Sequence, residues 1–155
     1  RLFMMAGVRD NTFSDERIHA FEKVMAENNI TPDNYRIGYG DFWEKPTRET
    51  LEQWFIEEQC AIPDAIICAN NYIALGCVDA AAKKGLRIPK DIGIMAFDNF
   101  PFSQIIEPPL TVVDINVRDM GTQAAKFLTD IMRHPNMQIQ TYITTSNVIV
   151  RGSTR

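Results

Sequence analysis

The sequence predicts a doubly wound α/β fold, a parallel sheet with helices on both faces. Three observations lead there. Four strand-then-helix units follow one another along the chain. The third and fourth strands are apolar throughout, as in strands buried on both faces. Residues that stop helices and open turns separate the units.

The first strand is Arg1-Leu2-Phe3-Met4-Met5-Ala6, closed by Gly7. After the polar turn 9–12, Ile18, Phe21, Val24 and Met25 recur at helical spacing. Ser14 or Thr12 is placed to cap this helix, and Asp15 and Glu16 suit its positive end. Asn28-Asn29 and Pro32 end it. The second strand is 35–40, and its helix is expected from about Thr47 to Cys60. Ala65-Ile66-Ile67-Cys68 is the third strand. Asn70 or Asn71 caps the next helix, which runs to Lys84 and stops at Gly85, a natural left-handed C-cap. The fourth strand is 92–97. An irregular stretch, Asp98 to Pro109, precedes an extended segment at 112–115. An amphipathic helix then carries Val117, Met120, Ala124, Leu128 and Ile131 on one face, and His134-Pro135-Asn136 ends it. A last strand is expected over about 142–150.

Composition narrows the function. The chain has 155 residues, 45% of them apolar, and no run approaches the ~20 residues of a membrane-spanning helix. Sixteen Lys and Arg are scattered against twenty Asp and Glu, for a net charge of −4. A DNA-binding face needs concentrated basic charge, so none is expected in this chain. Arg1-Leu2-Phe3 reads as the interior of a longer protein rather than a signal peptide. Cys60, Cys68 and Cys77 form no C-x-x-C pair; they read as small buried residues of a reducing, cytoplasmic compartment. No metal site or cofactor is expected. There is no phosphate-binding loop and no nucleophile elbow, and Gly38-Tyr39-Gly40 meets Trp43 where a dinucleotide loop needs its third Gly. A phosphoacceptor receiver would carry an acidic pair where Met5-Ala6-Gly7 stands. The reading is therefore not an enzyme.

In an open parallel sheet, ligands bind beyond the carboxyl ends of the strands. That rule selects Arg17 in the first helix, Phe42 after the second strand, Asn70 after the third and Asp98 after the fourth. A guanidinium, a carboxylate, an amide and an aromatic ring suit a sugar-like ligand: forks and carboxylates bridge neighbouring hydroxyls, and a ring covers a C–H face. Singly, each has an ordinary role: a solvated helix residue, a core ring, a helix cap, a turn cap. Together at one sheet edge they predict a shared pocket.

Arg17-Ile18-His19-Ala20-Phe21, Pro63-Asp64-Ala65-Ile66, Ala69-Asn70-Asn71-Tyr72-Ile73-Ala74-Leu75-Gly76, Gly85-Leu86-Arg87-Ile88-Pro89-Lys90-Asp91-Ile92, Ala96-Phe97-Asp98-Asn99, Pro108-Pro109-Leu110-Thr111, Met120-Gly121 and Val150-Arg151-Gly152-Ser153-Thr154 follow in order. Together they resemble blocks of the lactose-repressor/galactose-repressor family. Asn71 and Asn99 stand where the family usually has Asp, and Ile115 where some relatives place a polar effector contact. The resemblance implies a type I periplasmic-binding-protein-like fold of which this chain is the second lobe. It implies a lobe over 1–111, a crossover and helix of the absent first lobe over 112–141, and a return over 142–155. It further implies a saccharide or similar effector held by Arg17, Phe42, Asn70 and Asp98. A homodimer through Leu75, Val78, Asp79, Phe102, Ile105 and Ile106 follows too, with DNA contacted only by a headpiece before Arg1. A solute-binding protein for uptake and a doubly wound enzyme are the competing readings. The unpartnered stripe of the 117–133 helix is expected to fold back on its own sheet or to pack against another chain, with hinges at 111–116 and 138–144.

Overall fold

The computed structural model describes residues 1–56, 61–138 and 141–155. The elements are β1 Leu2–Ala6, α1 Thr12–Glu27, β2 Tyr35–Tyr39, α2 Glu44–Ile56, β3 Ala65–Cys68, α3 Asn71–Lys84, β4 Gly93–Phe97, β5 Thr111–Asp114, α4 Val117–Arg133 and β6 Asn147–Ile149. The sheet runs β2-β1-β3-β4-β5-β6. Its first five strands are parallel, and β6 alone runs antiparallel, against β5.

Side-chain alternation along β1 divides the core. Phe3 and Met5 point to the face covered by α2 and α3, where Leu51, Ile73, Cys77 and Ile94 are fully buried. Leu2 and Met4 point to the other face, where Phe21 and Met25 of α1 pack. α2 and α3 are also each other's chief neighbours. Gly76 makes this approach possible: a Cβ there would lie 2.4 Å from the carbonyl oxygen of Glu44.

Several boundaries differ from the sequence expectation. Asn11, not Ser14 or Thr12, caps α1, its Oδ1 accepting from the amides of Phe13 and Ser14. Thr12 already lies in the first turn, and Ser14 is fully buried. α2 starts at Glu44 rather than Thr47, because Pro46 falls within the first turn, where its missing N–H has no intrahelical partner to lose. The expected end of α2 at Cys60 lies outside the described residues. Asn70 caps α3, and Gly85 ends it at φ +75°, both as expected. The last strand is only three residues, Asn147–Ile149.

The tail is built into the sheet. The Ser153 hydroxyl accepts from the Thr111 amide at 2.8 Å and donates to the Ile94 carbonyl, and the Ile94 amide donates to the Ser153 carbonyl. Arg151 donates to the Leu110 carbonyl and to Asn99 Oδ1, both at 2.8 Å. This stitching ties the carboxyl terminus to β4 and β5.

α4 leaves this body. None of its residues is buried, and Val117 and Leu128 are each 61% exposed. The expectation that it folds back on its own sheet is not met. Its nearest company is the return segment, where Phe127 meets the Tyr142 ring edge-on at 6.3 Å and the Tyr142 hydroxyl donates to Asp119. The expected hinge at 138–144 includes 139 and 140, which lie outside the described residues.

Candidate effector site at the carboxyl edge of the sheet

Each of the four candidate residues sits at a carboxyl-edge loop or the helix turn after it. Arg17 lies in the second turn of α1. Its Nη1 donates to the Phe13 carbonyl at 2.9 Å, and its guanidinium carbon stands 4.8 Å from the centroid of the Phe97 ring. Its Nε is buried and has no hydrogen-bond partner. A buried guanidinium N–H without an acceptor is costly in a finished interior and expected where an acceptor arrives from outside.

Asp98 follows β4 in a left-handed conformation, φ +73°. Its amide donates to the Val113 carbonyl, and its own carbonyl accepts from Asn71, so the backbone is fixed on both sides. The carboxylate is half-buried. Burial raises its pKa above the ordinary aspartate value, and the Arg17 charge partly opposes that rise. Among the described residues no group donates to this carboxylate, and it closes no ion pair with Arg17.

The β2–α2 loop carries two successive left-handed residues, Asp41 at φ +50° and Phe42 at φ +62°. They lay the Phe42 ring directly over Gly7, where a Cβ would come within 2.0 Å of the ring. Asn70 holds this loop to β3: its Nδ2 donates to the Phe42 carbonyl at 3.1 Å, while its Oδ1 caps α3 by accepting from the Ile73 amide. The capping role expected for Asn70 is real, and it also sets the position of Phe42.

Asn71, noted in the sequence as a lost charge, is a fully buried clamp. Its Nδ2 donates to the carbonyls of Phe97 and Asp98, both at 2.8 Å, and its Oδ1 accepts from the Phe100 amide. An amide can meet both carbonyls because it carries two N–H donors; a carboxylate carries none.

The four residues thus form two local pairs, Phe42 with Asn70 by a hydrogen bond and Arg17 with Asp98 by charge. A groove of about 480 Å³ opens beside Arg17 on the α1 side and is lined there by Phe13, Ile67, Phe97 and Ile115. Phe42, Asn70 and Asp98 do not line it. Sequence reasoning passed over Phe13 and Phe97. Phe97 was readable only as the last residue of an apolar strand, and Phe13 only as a turn residue.

The residues expected at an interface are placed as follows. Leu75, Val78 and Asp79 are half-buried on α3, with Val78 against the core. Asp79 pairs with Arg48 at 3.1 Å and with Lys83 at 3.7 Å. Ile106 packs against the core, Phe102 is half-buried, and Ile105 is 83% exposed.

The chain is thus a lobe of parallel strands with the unpartnered Arg17 Nε beside an apolar groove near its carboxyl edge. Comparison with known proteins agrees. The chain belongs to the periplasmic binding protein-like domain family, whose model matches residues 1–154, and it resembles the corresponding region of bacterial transcriptional repressors. It is 28% identical over 158 residues to the HTH-type transcriptional repressor PurR of Haemophilus influenzae, covering 100% of this chain and 46% of that protein. A putative transcriptional regulator LacI from Bacillus cereus superposes with a TM-score of 0.89 at 26% identity, covering 100% of this chain and 54% of that one. The lac repressor dimer bound to operator and the anti-inducer ONPF gives 0.87 at 23% identity, over 99% and 52%. The chain therefore spans about half the length of the relatives it matches.

Proposed function

We propose that this chain binds a small-molecule effector, a saccharide or similar polyol, within a homodimeric, cytoplasmic transcriptional repressor. DNA is contacted by a headpiece outside these residues, and the role is binding rather than catalysis. The observation that carries the effector reading is the open Arg17–Asp98 pair. A buried N–H without an acceptor and a half-buried carboxylate without a donor are met together by a ligand with adjacent hydroxyls. Phe97 and Ile115 beside Arg17 supply apolar cover for such a ligand. Phe42 and Asn70, joined by their hydrogen bond, belong to neighbouring loops at the same sheet edge. The dimer reading is supported by the lac repressor neighbour, itself a dimer on its operator, and by the exposed Ile105. The bare stripe of α4 supports assigning that helix to a first lobe, while 112–114 stay in β5 of this lobe.

The test is a thermal-shift screen of sugars and sugar phosphates against the full-length protein and its Arg17→Ala variant. A compound that raises the melting temperature of the parent and not of the variant supports the reading. A compound that raises both equally overturns the assignment of Arg17.

A further inference from the structure

A row of hydrogen bonds runs from the loop after β4 to the start of α4. Asn99 stands at its centre and uses both ends of its amide. Its Oδ1 accepts from Arg151 Nη2 at 2.8 Å, and its Nδ2 donates to Asp114 Oδ2 at 3.0 Å. The other Asp114 oxygen accepts from the Asn116 amide at 2.9 Å. Asn116 in turn caps α4, its Oδ1 accepting from the Asp119 amide at 3.3 Å. The Asn116 backbone is left-handed, φ +53°, a conformation that Asn adopts more readily than most residues. None of the residues of α4 is buried, so the way this helix leaves the lobe is governed at its cap.

We propose that Asn99 is a positioning residue that joins the loop of Asp98 to the capped start of α4, so that occupancy at Asp98 and the set of α4 depend on each other. This rests on the effector reading above and gives it a route out of the site. Asp98 and Asn99 are consecutive, and the Asp98 amide is pinned to the Val113 carbonyl, one residue before Asp114. A displacement of Asp98 is therefore shared by Asn99 and by the end of β5. Ile115, next after Asp114, lines the groove beside Arg17, so the same crossover is also touched from the groove. The chemistry at position 99 is restrictive. Arg151 needs an acceptor there and Asp114 needs a donor, and an amide offers both. A carboxylate at 99 would accept from Arg151 but would set a second negative charge against Asp114, with no hydrogen to give it. The Asn116 and Asp119 amides lie at the helix start, where no intrahelical acceptor is available, so Asp114 and Asn116 are what protects them. Coupling of this kind is reciprocal: a change at Asn99 that loosens the cap of α4 must also be felt in binding at Asp98.

The experiment is site-resolved amide exchange at Asn116 and Asp119 in the full-length protein, with thermal shifts of the same samples against the panel of sugars and sugar phosphates. The variants are Asn99→Asp, Asp114→Asn and the two together, and circular dichroism confirms that each is folded. Asn99→Asp is expected to speed exchange at both amides by about tenfold or more. The double variant swaps the two side-chain types. The carboxylate at 99 then accepts from Arg151 and from the amide at 114, whose oxygen still accepts from Asn116. Exchange is expected to return to within about threefold of the parent, a rescue that a role in packing alone does not give. A panel compound that stabilises the parent is expected to lose most of its shift in Asn99→Asp and to regain it in the double variant. Exchange that is unchanged in Asn99→Asp, or that the double variant does not restore, overturns the proposal. A compound whose shift is the same in Asn99→Asp as in the parent, while exchange rises, also overturns it: the row then holds α4 without reaching the site. If exchange follows the expected pattern but no panel compound shifts even the parent, the effector reading fails and the link to Asp98 fails with it, while the hold of Asn99 on α4 stands.

Discussion

Arg17 and Asp98 feel each other's charge without forming an ion pair. The guanidinium opposes the rise that burial imposes on the Asp98 pKa, yet it stays beside the Phe97 ring with its Nε unpartnered. Arg17→Ala and Asp98→Ala are each expected to weaken effector binding by on the order of 2–4 kcal/mol, since each strands a buried polar partner on the ligand. Arg17→Lys keeps the charge but loses the Nε donor and the guanidinium's place beside the Phe97 ring, so it is expected to rescue only a minor part. Calorimetric titration of the full-length protein with the compound found by thermal shift checks all three.

Asp98 also gives the unliganded fold a pH dependence. Its folded pKa is raised, chiefly by burial. A raised carboxyl favours the fold while it is protonated, and that favour is lost as pH rises through the folded value. Ionised Asp98 is therefore a cost at neutral pH. Asp98→Asn is expected to raise the melting temperature at pH 7 by about 1–3 °C, a small effect because the group is half in water. The difference should shrink as pH falls through the carboxylate range. A variant less stable than the parent at pH 7 would contradict it.

Asn71→Asp tests the clamp on the loop after β4. The change replaces two donated hydrogen bonds with a carboxylate facing the carbonyls of Phe97 and Asp98. A destabilisation of about 2–4 kcal/mol in urea unfolding is expected, far above that of an exposed Asn→Asp change.

Much of this architecture was legible in advance, and the misses have physical causes. The buried strands were found because β3 and β4 are apolar on both faces, and Gly85 marked its helix end because the left-handed C-cap favours glycine. The α1 cap was misread because Asn11, Thr12 and Ser14 are all capping types, and only the backbone selects Asn11. Asn71 looked like a missing charge because its partners are carbonyls of a loop 26 residues further on, which no local pattern reveals. The four site residues were named from the strand-end rule, but the rule says nothing of side-chain direction. It could not foresee that Asn70 spends both polar atoms within the chain, or that the groove beside Arg17 is not lined by Phe42, Asn70 or Asp98.

Cys68 and Cys77 face each other with Sγ atoms 3.5 Å apart and no exposure, and burial pushes the Cys68 thiol well up from its ordinary value. Neither side chain is exposed to reagent, and the reactive thiolate of Cys68 is disfavoured, so both should resist alkylation in the native protein. Peptide mapping after iodoacetamide is expected to show labelling at 68 and 77 only after denaturant is added. Rapid native labelling at either position would refute the burial.

The apolar stripe of α4 finds no cover among the described residues. Leu128 is 61% and Ile131 47% exposed, on a helix that by itself is marginal in water. Full burial of such a side chain contributes about 1.5–3 kcal/mol, so a helix that keeps this pattern is shaped for a surface outside the lobe. If that surface is a first lobe in the full-length protein, Leu128→Lys and Ile131→Lys should act very differently in two settings. In the 155-residue chain, each removes an exposed apolar group, and the unfolding free energy of the lobe should move by no more than about 0.5 kcal/mol. In the full-length protein each places a charge in a packed face, and a loss of about 2–4 kcal/mol is expected. Urea unfolding of both forms decides the matter. Equal, small effects in both would mean that α4 is bare in the whole protein as well, and that this helix does not belong to a first lobe.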